Sequence, residues 1–101
     1  MINISLDIAI SLLPNKSDVR VIKYIRSIPK IRPIGMIDKN ELIDIISEKH
    51  ISRHISLCGA DRINEGFGMR VHIDPFTDYL IETNTNEALK LYEIKRKTSI
   101  N

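Results

Sequence analysis

Twenty of the 101 residues are isoleucine, against eight leucines and three valines, and the spacing of those isoleucines changes along the chain. A β-branched side chain suits a pleated strand better than a helix interior, so alternation of isoleucine with polar residues predicts a strand. Ile2, Ile4, Leu6, Ile8, Ile10 and Leu12 alternate with Asn3, Ser5, Asp7, Ala9 and Ser11. That predicts a strand over 2–8. Leu6, Ala9, Ile10 and Leu13 also share a helical face, which leaves 6–13 open between the two, and Pro14-Asn15 breaks the element.

Beyond Pro14 the spacing turns helical. Val21, Ile22, Ile25 and Ile28 recur at three and four residues with Tyr24 beside them, predicting a helix over 16–28. Asn15 or Ser17 can cap it and Pro29 stops it. Residues 29–37, with Pro33 and Gly35, read as an extended connector or a short edge strand. Asp38-Lys39-Asn40-Glu41 has capping-box spacing, and Leu42, Ile43, Ile45 and Ile46 predict a second helix over 39–49.

Residues 51–58 fit two periods. Ile51, Ile55 and Cys58 suit a helix, whereas Ile51, Arg53, Ile55 and Leu57 against Ser52, His54, Ser56 and Cys58 suit a strand. Residues 59–68 read as a loop on composition. Met69, Val71 and Ile73 then alternate with Arg70, His72 and Asp74, and Asp74-Pro75-Phe76-Thr77-Asp78 supplies turn chemistry. A hairpin over 69–83 follows, and residues 84–87 can cap a last helix carrying Ala88, Leu89, Leu91, Tyr92 and Ile94.

These elements predict an α+β fold: one small domain over 1–101 with an N-terminal strand, two central helices and a C-terminal antiparallel β-hairpin followed by a helix. Halves of about 50 residues would bury too little surface to stand alone. The single cysteine, Cys58, excludes an internal disulfide and favours a reducing compartment. A signal peptide is not expected, because the first residues lack a basic region and are interrupted by polar ones. No stretch reaches the roughly 20 apolar residues of a membrane helix. A cytoplasmic protein without a membrane partner is the expectation.

The net charge of +2 conceals segregation. Residues 16–32 hold Lys16, Arg20, Lys23, Arg26, Lys30 and Arg32 against Asp18, a balance of +5. Residues 90–97 hold Lys90, Lys95, Arg96 and Lys97 against Glu93, or +3, and 74–87 carry Asp74, Asp78, Glu82 and Glu87, or −4. On a 16–28 helix the cations would gather opposite the apolar side, and phosphate backbones or acidic protein surfaces select such a stripe. A merely solvated face explains it as simply.

His50, His54 and Cys58, at i, i+4 and i+8, would stack on one face of a helix at workable zinc spacing, with His72 or Asp61 completing a tetrahedral set. On a strand, residues four apart lie about 13 Å from one another and one ion cannot bridge them. Unconnected histidines are the commoner reading, so no metal or other cofactor is expected. His54 could likewise activate Cys58 only on a helix. The chain has no G-x-S-x-G, Walker A or H-E-x-x-H run, and Gly66-Phe67-Gly68 alone is a loop feature. An enzyme is not expected.

Two layouts remain. If 51–60 is helical, the element order is that of a winged helix-turn-helix. Glu41-Leu42 and Ser52-Arg53-His54-Ile55 then resemble the helix-turn-helix stretches of bacterial regulators. The resemblance implies that Ser52, Arg53, His54 and Ser56 contact bases or phosphates, with the hairpin as wing. If 51–58 is a strand, helices pack on one face of an antiparallel sheet. The first function is a nucleic-acid-binding regulator that uses the 16–32 basic face and residues 51–56. The alternative is a small protein-binding inhibitor or immunity- or antitoxin-type protein, such as a phage, plasmid or toxin-linked accessory factor, docking on an acidic partner. Phe67, Phe76, Tyr79 and Tyr92 are its aromatic anchors, though core packing should claim at least half of them. A homodimer is expected, paired through the N-terminal strand or the 86–97 helix, because so many isoleucines are hard to bury in a small monomer.

Overall fold

Ser5 ends the first strand. Its backbone is extended (φ −75°, ψ 165°) and its hydroxyl accepts from Ile8 N at 3.4 Å, the geometry of a helix N-cap. In the structure, a computed structural model that describes residues 2–28, 33–49, 55–63 and 66–100, the strand β1 is therefore only Ile2–Ile4 and the helix α1 is Leu6–Ser11. The long N-terminal strand expected from the alternation is cut by this cap.

The 16–28 helix is a strand. β2 spans Asp18–Ile25, hydrogen-bonded on both sides. Asp18-Val19-Arg20-Val21 alternates as a half-buried strand should, but Ile22-Lys23-Tyr24-Ile25 inverts the order, and the inversion mimics helical spacing. The β-branched residues and Tyr24 favour the strand once neighbours are available to pair with it. β3 (Ile34–Asp38) follows at an edge, as the connector reading allowed, and α2 (Lys39–Lys49) forms where the capping-box spacing placed it.

Residues 55–63 form the strand β4 (Ile55–Ile63), which pairs with β5 (Gly66–Asp74): of the two periods of 51–58 the strand holds from Ile55 on, the reading helix does not, and the strand runs on into the expected 59–68 loop. The register shifts between Cys58 and Ile63, so the ladder there is irregular and composition alone reads as loop. The 69–83 hairpin is present as β5 and β6 (Thr77–Glu82), with Asp74 Oδ1 accepting from Phe76 N at 2.7 Å in the turn. α3 (Thr85–Ile100) starts at Asn84, whose Oδ1 accepts from Glu87 N at 3.3 Å.

The six described strands make one antiparallel sheet in the order β1-β4-β5-β6-β2-β3. The fold is α+β as expected, with a larger sheet than a hairpin and without the winged layout. All three helices serve one face. Ala9, Leu12 and Leu13 near α1, Leu42 and Ile46 of α2, and Ala88 of α3 share a core with Val19, Val21, Ile55, Leu57, Met69, Val71 and Ile81. Each fully buried Leu or Ile there contributes about 1.5–3 kcal/mol of transfer free energy. Asn84 N donates to Leu12 O at 2.6 Å, tying the end of the first helical segment to the start of the last. No helix among the described residues is long and apolar enough to cross a membrane.

Candidate functional site

The pleat turns alternate residues to opposite faces, so the paired registers give two rows across all six strands. The helix-side row runs through Leu57, Met69, Ile81, Val21 and Gly35, with no polar side chain. The neighbouring row is Asn3, Ser56, Arg70, Leu80, Ile22 and Ile34, and the core elements that cover the first row lie on the other side of the sheet. Among the described residues no helix packs on this second face, although Cys58, Leu80 and Asp78 on it are themselves buried, and an antiparallel sheet tolerates a face without helices.

Its middle is a small apolar cluster of Cys58 and Leu80 with Ile22 against them. Around that cluster stand Arg20, Tyr24 and Arg70. The Arg70 guanidinium lies 5.4 Å from the centre of the Tyr24 ring, within cation–π range. Arg70 Nε is buried and has no hydrogen-bond partner. A buried donor left unpaired costs about 1–3 kcal/mol, so an acceptor brought to it would be stabilising.

Two acids of this face, Glu82 and Asp78, are in ion pairs. Lys16 Nζ lies 2.8 Å from Glu82 Oε1, and Arg26 Nη2 lies 2.8 Å from Oδ1 of the buried Asp78. His72 Nδ1 sits 2.6 Å from the same oxygen and 2.6 Å from Arg26 Nη2. Arginine only donates and carboxylate only accepts, so a protonated Nδ1 serves Asp78 and a bare one serves Arg26, never both. Asp18 and Asp38 stand opposite each other at the far end of the β2–β3 ladder. Among the described residues the guanidinium groups of Arg20 and Arg70 form no ion pair, although Arg20 N donates to Glu82 Oε1 at 3.4 Å, and both leave positive charge near the middle of the face.

The cations expected to form one helical stripe are thus distributed. Arg20 is on the uncovered face, while Lys23 is on the helix side, 5.9 Å from the centre of the Tyr79 ring. Lys16 and Arg26 are in ion pairs. Lys30, Arg32, Ser52, Arg53, His54 and His50 lie outside the described residues. Cys58 is in a strand, so the helical stacking of His50, His54 and Cys58 does not extend to it, nor does a His54–Cys58 pair at helical spacing. Its Sγ lies 3.9 Å from Ser56 O. No group of three His, Cys, Asp or Glu able to hold a metal occurs among the described residues.

Of the four aromatics, Phe67 and Tyr79 pack against the core, and Tyr92 lies 6.0 Å from Phe67 between ring centres. Phe76, at the β5–β6 turn, is 67% exposed. The sequence reading missed Tyr24 and Arg70, which were assigned to a helix flank and a wing; only the strand period brings them together. No protein-family model matches the chain, and no curated protein or solved structure matches it, so the face is read from its own chemistry.

Proposed function

We propose that the chain is a small protein-binding protein, of the inhibitor or immunity and antitoxin kind, which docks the uncovered sheet face on an acidic protein surface. The observation that carries this reading is Arg70, whose Nε is buried without a partner beside an apolar cluster and the Tyr24 ring. Tyr, Arg and Met are the residue types enriched at the centres of protein interfaces, and a partner carboxylate would satisfy both Arg20 and Arg70. The reading needs no catalytic step, metal or cofactor.

The tagged chain should recover one stoichiometric, acidic protein from the cells that make it. Arg20→Glu with Arg70→Glu should weaken that complex about tenfold or more, the size expected for central charges reversed at an interface. Leu89→Glu, on exposed α3 surface, should leave it intact. Arg70→Met should weaken capture while holding or raising folding stability, because it deletes an unpaired buried donor. Capture indifferent to the double reversal would sink the reading.

The nucleic-acid-binding regulator is the second reading, favoured by the Arg70–Tyr24 stack, since aromatic and arginine planes on an open sheet suit unstacked bases. Titration of labelled duplex and single-stranded DNA across salt separates the two. Binding that falls steeply with salt and is lost in the same double reversal, with no protein captured, would transfer the face to nucleic acid.

A further inference from the structure

The row across the uncovered face changes character as it crosses the sheet: Asn3, Ser56 and Arg70 first, then Leu80, Ile22 and Ile34. Its apolar end is therefore at the edge strand β3. There Ile34 is 67% exposed and Met36, two residues on and on the same face, is 57% exposed.

No described strand pairs with the outer side of this edge. Lys23 N donates to Pro33 O at 2.9 Å and Lys39 N to Ser17 O at 2.8 Å, which fixes the odd-numbered residues of β3 as those bonded to β2. In an antiparallel ladder the alternate residues point their groups the other way, so N–H and C=O of Ile34 and Met36 face out of the sheet. Edges of soluble proteins are commonly blunted by lysine, proline, a bulge or brevity. Within Ile34–Asp38 there is no lysine and no proline, and its register with β2 is unbroken. The other edge, β1, is only three residues long.

We propose that β3 pairs with β3 of a second copy, antiparallel and centred on Gly35, joining two sheets into one of twelve strands. The occupant is argued from self-complementarity. With Gly35 at the two-fold axis, Ile34 of each copy opposes Met36 of the other, so the apolar end of one row continues into the apolar end of the next. Those residues are also the ones with outward N–H and C=O, so each opposed pair exchanges two hydrogen bonds. Centring on Met36 instead would set Ile34 against Asp38. Gly35 has nothing within 4 Å of a Cβ position, so no neighbour in its own chain requires a glycine there, and a glycine in a strand often marks close approach of another backbone. The pairing is independent of which partner the face binds.

Two five-residue strands bury little area, so a concentration-dependent equilibrium is expected. Sedimentation equilibrium from micromolar to sub-millimolar chain should show monomer passing to dimer. Met36→Lys and Met36→Pro should each keep the chain monomeric with an unchanged circular-dichroism spectrum, since the side chain is exposed and its N–H is not bonded to β2. Phe76→Lys, equally exposed but away from the edge, should dimerise like the unmodified chain. A second measurement needs no destabilising variant. Opposed residues of a hydrogen-bonded pair have Cα atoms about 5.5 Å apart, within disulfide reach. Mixed Ile34→Cys and Met36→Cys chains should therefore cross-link to each other faster than either does to itself. A chain that stays monomeric throughout, or a dimer that survives both Met36 variants, would overturn the proposal. Preferential self-cross-linking of Met36→Cys would overturn the Gly35-centred register.

Discussion

Asp78 is 3% exposed, and a buried carboxylate persists only where donors meet it. Arg26 supplies one at 2.8 Å and also donates from Nη1 to Pro75 O at 3.0 Å, while its backbone N donates to Phe76 O at 3.0 Å. One arginine thus fastens the end of β2 to the β5–β6 turn. The partners are unequal in solvent: Arg26 is largely hydrated and can lose its acid cheaply, whereas Asp78 cannot be rehydrated in place. Asp78→Ala is expected to cost about 1–2 kcal/mol in urea denaturation, and Arg26→Ala, which strands the acid with His72, at least as much. The reverse order would mean that water reaches Asp78. The +5 and −4 blocks of the sequence meet here and at Lys16–Glu82, so charge segregated along the chain becomes neutralisation across strands.

Among the elements, β2 decides both the fold and the site. Paired on both sides, one strand in from the β3 edge, it has two partly apolar faces: Val19 and Val21 enter the helix-covered core, while Ile22 joins the opposite cluster. Strict alternation therefore fails at Ile22, and a helical period appears where none exists. α2, the 69–83 hairpin and the Asn84 cap were legible because their signals are local: capping spacing, turn residues and one-sided alternation. β2 was not, and β4 was legible only as one of two periods, because their strand state depends on neighbours far along the chain. The cations of the site were legible as residues, but their faces followed from a period that sequence alone assigned wrongly. A cycle at the β2–β3 ladder tests the strand. Asp18 and Asp38 oppose each other, and like charges so placed are destabilising. Asp18→Lys should stabilise the chain by about 0.2–1 kcal/mol by urea titration, and most of that gain should vanish in an Asp38→Asn background. Additivity of the two changes would contradict the register.

At the scale of the molecule, the fold is one-sided. Three helices of very different lengths bury a single face of the six-stranded sheet, and the described part of the other face keeps an apolar centre, a stacked tyrosine and two arginines whose guanidinium groups form no ion pair among the described residues. The radius of gyration, 13.1 Å, matches the roughly 13 Å of a compact chain of about 100 residues, so the uncovered face is not the product of an expanded shape. Binding through it would add a second layer opposite the helices, and pairing through β3 would lengthen it without covering it. Amide and side-chain NMR of the labelled chain, with and without the protein that co-purifies with it, tests this asymmetry most directly. Perturbations should concentrate on Arg20, Ile22, Tyr24, Arg70 and Leu80, with α2 and α3 unaffected. Perturbations confined to the exposed surfaces of α2 and α3 would contradict the assignment of the sheet face as the working surface.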